Sequence, residues 1–186
     1  MARPVEYDLE KVLDDAMEIF WQKGYHGVSM NELVSCTKLN RRTMYSLFKD
    51  KEGLFLNALE HYYSKKSAQK LKVLKNNPGI KGIEKFFETF VFSEKFKGCL
   101  FSNTIREKDF LSENTYSIPK IYFEKIRVQL EENLLQAKEM NDFNGDTNAM
   151  SHTIITFIHG FNVYGKYNHS KEQSKMMVKN FLSLLR

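Results

Sequence analysis

Apolar residues recur three and four positions apart along most of this chain, and nowhere do they alternate long enough to make a strand. Leu9, Val12, Leu13, Ala16, Met17 and Phe20 form the first such face; Met150, Ile154, Phe157, Ile158, Phe161 and Tyr164 form one of the last. A stripe of this period has to be buried against other helices, which restricts the fold to an all-α class. Only three prolines, Pro4, Pro78 and Pro119, and nine glycines interrupt the rhythm. The 186 residues suffice for one real core, or for a small module joined to a larger one.

Start and stop signals divide the chain into about nine helices. Asp8 is a plausible N-cap for the first, and Lys23-Gly24 ends it. Ser29-Met30-Asn31-Glu32 reads as a capping box that opens a short second helix, reaching about Cys36. Asn40 can cap a third, from Arg41 to about Phe48. A fourth starts at Lys51-Glu52-Gly53-Leu54-Phe55 and runs to Leu71 or Leu74, where Asn76-Asn77-Pro78-Gly79 breaks it. Ile83, Phe86, Phe87, Phe90 and Val91 mark a fifth, and a sixth spans roughly Cys99 to Asp109. The seventh begins near Pro119 and carries Phe123, Ile126, Leu130, Leu134 and Ala137; Asn144-Gly145 turns the chain into the eighth. Val178, Phe181, Leu182 and Leu185 mark the ninth. Three short helices therefore precede six greasier ones, with a boundary expected between residues 1–50 and 51–186.

The second and third helices have the lengths and the four-residue connection, Thr37-Lys38-Leu39-Asn40, of a helix-turn-helix. Leu33, Val34, Leu39, Met44 and Phe48 would fix the angle between them. The net charge of +5 is modest, and residues 1–60 carry eight bases against ten acids. Yet Lys38, Arg41, Arg42, Lys49 and Lys51 fall within fourteen positions, opposed only by Asp50. A local cluster on a reading helix is what a DNA-docking surface needs. Arg41 and Arg42 can bond guanine bidentately, and Thr43 can touch a base edge. Tyr45, Lys49 and Lys51 suit phosphates, as do the amides and hydroxyl at Ser29, where a helix starts; Asn40, at the start of the reading helix, is also expected to touch DNA.

Residues 9–55 resemble the DNA-binding segment of the TetR (tetracycline-repressor) family. The residues that carry the resemblance are Gly24, Ser29-Met30-Asn31-Glu32-Leu33, and Thr43-Met44-Tyr45-Ser46-Leu47-Phe48-Lys49-Asp50-Lys51-Glu52-Gly53-Leu54. The resemblance implies DNA contacts by Ser29, Thr43, Tyr45 and Lys51. One departure is Thr37-Lys38, where the family usually has Ala-Gly. A lysine in a left-handed turn costs about 1 kcal/mol, so a slightly reshaped turn is expected. Looser likenesses lie at Gly98-Cys99-Leu100-Phe101-Ser102-Asn103-Thr104 and over Phe157 to Gly165.

The resemblance further implies a homodimer joined through the last two helices, with a small molecule held among helices four to eight changing the spacing of the two reading helices. Phe157, Phe161, Tyr164, Val178, Phe181 and Leu185 are the expected dimer contacts; a lone protomer would otherwise expose Phe181 and Leu185 at the chain end. An apolar or aromatic effector is expected at Phe87, Phe90, Phe101, Asn103, Tyr122, Phe123, His152 and Phe157. Aromatic stripes are more often plain core, and only about a third of Phe86, Phe87, Phe90, Phe92, Phe96 and Phe101 are expected to touch a cavity. Cys99, behind a glycine at a helix start, is a candidate thiol sensor, although a small buried side chain is the commoner role. His152 and His159 share a face but lack further metal ligands, so no metal and no cofactor are expected.

No phosphate loop, nucleophile elbow or paired-histidine motif points to an enzyme. No run of about 18 apolar residues spans a membrane, and the first six residues lack a signal-peptide core. With two cysteines only, Cys36 and Cys99, the expectation is a cytoplasmic protein without a disulfide. Its expected function is a DNA-binding transcription regulator, a repressor released from a palindromic operator by its ligand. The rivals are a constitutive DNA-binding factor and a thiol-based sensor.

Overall fold

The computed structural model describes residues 7–90, 96–167 and 170–185, and the expectations for residues 1–6, Val91 and Phe92 fall outside them. Among the described residues every regular element is helical: α1 (Leu9–Lys23), α2 (Met30–Thr37), α3 (Arg41–Phe48), α4 (Lys51–Tyr62), α5 (Ala68–Asn76), α6 (Gly79–Glu88), α7 (Leu100–Ile105), α8 (Glu113–Glu139), α9 (Thr147–Tyr164) and α10 (Lys171–Ser183). A π segment, Tyr63–Ser67, carries α4 into α5, so the two correspond to the single long fourth helix expected from sequence. Side chains start the helices as anticipated. Asp8 accepts from the Lys11 amide, Ser29 from the Glu32 amide and Asn40 from the Thr43 amide.

The chain forms two compact units. The first comprises residues 1–65 and 99–119, the second residues 66–98 and 120–186. The first unit is therefore larger than the expected module of residues 1–50, because α4 packs along α1 and α7 joins the same core. Val12, Ala16, Phe20, Leu33, Met44 and Leu59 are buried there. Phe20 meets Phe55 edge to face at 4.7 Å, and Tyr62 meets Trp21 and Phe101 at 5.1 and 5.0 Å.

In the second unit the aromatic stripe of α6 packs against α9 and α10. Phe87 contacts Phe157 and Phe181 at 5.8 and 5.9 Å, and Phe157 stacks flat on Phe181 at 3.9 Å. The buried amide of Asn133 on α8 donates to the Asn77 carbonyl at 2.6 Å, serving a carbonyl that the end of α5 leaves without a helical partner.

Three sequence expectations need correction. Helix α7 stops at Ile105; the residues up to Asp109 leave it and pass into a short 3-10 turn, Lys108–Phe110. Pro119 lies inside α8, because Ser112 starts the helix six residues before it by accepting from the amides of Thr115 and Tyr116. Phe181 and Leu185 are not left exposed by a lone protomer: they are 8% and 1% exposed, and Phe161 and Val178 are buried with them. Within one protomer these residues are buried, with Phe157 stacked on Phe181, and Tyr164 is half-buried.

Candidate nucleic-acid interface

Helix α2 begins with a reciprocal cap. The Ser29 hydroxyl accepts from the Glu32 amide at 3.3 Å, and the Glu32 carboxylate accepts from the Ser29 amide at 2.8 Å. Lys23, at the end of α1, adds an ion pair to Glu32. That ion pair, followed by the Ser29 amide and hydroxyl, holds the Glu32 carboxyl down at about 2. The cap thus fixes α2 against α1 and leaves Ser29 itself exposed.

The turn into α3 keeps the left-handed form. Lys38 sits at φ 58° and ψ 12°, so lysine accepts the conformation that glycine usually fills and the turn is not reshaped. Thr37 accounts for this locally. Its hydroxyl donates to the Leu33 carbonyl at 2.7 Å and accepts from the Leu39 amide at 3.4 Å, tying both sides of the turn. Leu39, Met44 and Phe48 then pack inward.

The opposite face of α3 is open. Arg41, Arg42, Tyr45 and Ser46 are exposed, and Lys49 continues the face at the helix end. Arg42 has no side-chain partner among the described residues. Arg41 is braced by Asn31 of α2, its guanidinium donating to the Asn31 side chain at 2.6 Å. Thr43 is half-buried. Lys49, at φ 68° and ψ −53°, is the centre of a tight turn in which the Asp50 amide reaches the Phe48 carbonyl at 2.8 Å. Such a γ-turn is strained for any residue with a side chain, and strain of this kind tends to collect at functional sites. Asp50 then caps α4 by accepting from the Gly53 amide at 2.7 Å. Gly53 is obligatory here, since a Cβ would run into the Phe48 carbonyl.

Lys51 is not a free surface cation. Its ammonium lies over the Tyr25 ring, 4.4 Å from the centroid, and partial burial pushes its pKa down. Six of the eight residues expected to touch DNA, Ser29, Asn40, Arg41, Arg42, Tyr45 and Lys49, are thus exposed along α3 and the start of α2, and Thr43 and Lys51 are half-buried. Asn40 is exposed but engaged as the cap of α3. Sequence reasoning did not single out Asn31 or Ser46. The helical period around Arg42 would have found Ser46; the brace from Asn31 is a tertiary contact.

The residues expected to bind an effector are distributed differently. Phe101 and Asn103 belong to the first unit, whereas Phe87, Phe90, Tyr122, Phe123, His152 and Phe157 belong to the second. His152 is exposed on α9. Its neighbour His159 lies 4.3 Å from the Phe123 ring, and burial pushes its pKa down. Within the second unit a groove of about 860 Å³ runs between α6 and α10. Phe87, Phe90, Val178 and Leu182 line it, with Lys175 and Glu88 among its polar residues. Cys99 is half-buried and accepts a hydrogen bond from the Tyr62 hydroxyl at 3.5 Å. Among the described residues no cluster of three or more His, Cys, Asp or Glu could hold a metal ion, and no helix is long and apolar enough to cross a membrane.

A capped helix pair that buries one face of its second member and bares a basic one defines a helix-turn-helix DNA-binding protein. Known proteins agree. The family of bacterial regulatory proteins named tetR matches residues 12–58. An uncharacterised helix-turn-helix-type transcriptional regulator of Bacillus subtilis (strain 168), YezE, is 30% identical over 162 residues, covering 81% of this chain and 80% of that one. The transcriptional repressor ComR of Escherichia coli (strain K12) is 40% identical over 67 residues, 36% of this chain and 32% of its own. A cysteine-substituted form of the TetR family regulator CifR, solved with 26-bp operator DNA, shares the fold over 100% of both chains, with a TM-score of 0.85 and 22% identity. The chain belongs to the TetR family of transcriptional regulators, whose members bind operator DNA and are not enzymes.

Proposed function

We propose that this protein is a cytoplasmic, homodimeric repressor that reads a palindromic operator through α3 and is released by a small apolar ligand. The observation that carries the reading is the split of α3 into a buried face, Met44 and Phe48, and an open one, Arg41, Arg42, Tyr45, Ser46 and Lys49. Arg42, exposed and unpaired, is the base-reading residue of this proposal. Arg41, braced by Asn31, aims a second guanidinium along the same groove. Thr43 touches a base edge, and Ser29, Asn40, Tyr45, Lys49 and Lys51 set the register on phosphates. In this proposal residues 1–50, with Lys51 at their border, carry recognition, and the rest of the chain carries control and assembly.

Dimerisation through α9 and α10 is supported by the faces that these helices leave open. Thr153, Thr156, Gly160 and Val163 follow one another at alternating spacings of three and four on the exposed side of α9. Met176 is exposed on α10, and Leu184, just past its end, is 68% exposed. Small and apolar residues in such a row suit close packing against a second copy of the helix. Phe87 and Phe90, which line the groove between α6 and α10, are the two expected effector contacts best placed to receive an apolar molecule. The name of the relative ComR as a repressor supports the sign of regulation.

Selection of duplexes from a random pool, followed by footprinting, tests the proposal. Recovered sites should be twofold symmetric, with half-sites about 34–36 Å apart or a multiple of that. Asymmetric sites bound by a single protomer would overturn the dimeric reading. A ligand screen on the same complex tests release, and repeating it with Cys99→Ser separates a reversible ligand from thiol chemistry.

A further inference from the structure

Between α7 and the first turn of α8, within the first unit, the chain grips the α1–α2 turn. The carboxylate of Glu107 spans two consecutive backbone amides there, Tyr25 at 2.8 Å and His26 at 3.0 Å, more than eighty positions away in sequence. The fit is close. Gly24 has φ 76°, and a Cβ on it would stand 2.9 Å from both carboxylate oxygens. The His26 ring lies 4.5 Å from Phe110, and Glu52 at the start of α4 accepts from the Ser112 amide at 2.7 Å. The residue so held, Tyr25, packs on Phe55 and carries Lys51 over its ring. Three residues past His26 stands Ser29, the cap of α2.

We infer that Glu107 is a positioning residue for operator binding. By clamping the Tyr25–His26 turn it sets the places of Ser29 and Lys51, which flank α3 in the chain and are read here as phosphate contacts; the inference rests on that reading. A carboxylate is the group this role needs, because two adjacent N–H donors ask for two acceptor oxygens, and charge strengthens both bonds. An amide in its place offers one oxygen and sets an NH2 donor against the second N–H. Glu107 does not touch DNA in this scheme and, as an acid, it would by charge alone repel it.

That opposition supplies the test. Full-length wild type, Glu107→Gln and Glu107→Asp are titrated with a duplex selected by the wild type and with a scrambled duplex, at one salt concentration, with helix content and melting temperature recorded for each. A slipped turn keeps the Lys51 charge and loses only the register, so positioning predicts that Glu107→Gln weakens the selected duplex about tenfold or more while the scrambled duplex is held as tightly or slightly more tightly. Glu107→Asp should recover part of the loss. If the acid acts only through its charge, both duplexes tighten together. If it acts only on stability, both weaken together in step with the melting temperature. Either result overturns the inference. Lys51→Ala, measured alone, tests the phosphate reading separately, since it should weaken both duplexes alike.

Discussion

Three residues around the helix pair hold their positions against local cost or acid, and two of them make predictions. Glu32 is depressed to about 2 by Lys23 and by the cap at Ser29. A carboxyl lowered by folding stabilises the fold above its ordinary value near 4.5 and ceases to do so as pH falls toward about 2. Glu32→Gln should therefore melt below the wild type at neutral pH, and the two curves should converge as the pH approaches about 2. Parallel melting temperatures across that window would contradict the assignment. Lys49 combines a strained backbone with a proposed phosphate contact. Lys49→Gly relieves the positive φ, so melting temperature should hold or rise slightly, while binding to every duplex weakens and the salt slope falls by about one. A variant that loses stability and keeps its salt slope would show that the lysine is structural. Lys38, the third, is left-handed beside Thr37, whose hydroxyl ties both sides of the turn.

At the scale of elements, what could be read from sequence was whatever lies within a few positions. Asp8, Ser29 and Asn40 cap their helices because a side chain three residues from a free amide needs no distant partner. Periodicity likewise located the buried side of α3 at Met44 and Phe48. It could not say what covers an apolar face. The stripe at Val178, Phe181 and Leu185 looked like a dimer seam, and within one protomer it is buried, with Phe181 stacked on Phe157. For the same reason Phe101 and Asn103 were grouped with residues of a different compact unit, and the reach of Glu107 to Tyr25 left no local trace. The corrected face changes the mutation that tests assembly. Phe181→Asp should now unfold the second unit, since it buries a charge in an aromatic core. Gly160→Arg is the informative change. Among the described residues, a Cβ there meets nothing within 4 Å beyond its own helix turn, and replacing a mid-helix glycine gains about 0.5–1 kcal/mol of helix propensity. The variant should stay folded and sediment as a monomer at micromolar concentration; a dimer that survives would move the interface off α9.

For the molecule as a whole, the chain passes between its two compact units at residues 65–66, 98–99 and 119–120, the first within the π segment Tyr63–Ser67 and the last beside Pro119. In the proposed function, a ligand in the second unit acts only to the extent that it prefers the state that cannot hold DNA. A hundredfold release needs a coupling of about 2.7 kcal/mol, within the usual allosteric range. All of this presupposes that α3 reads sequence. The direct measurement is the affinity of wild type, Arg42→Ala and Arg41→Ala/Arg42→Ala for a selected palindrome and for the same palindrome with single base changes. If Arg42 reads a base, its removal costs about 1–3 kcal/mol on the palindrome and erases discrimination at one position of each half-site, and the double variant loses more. Undiminished binding of the palindrome by the double variant would contradict the account.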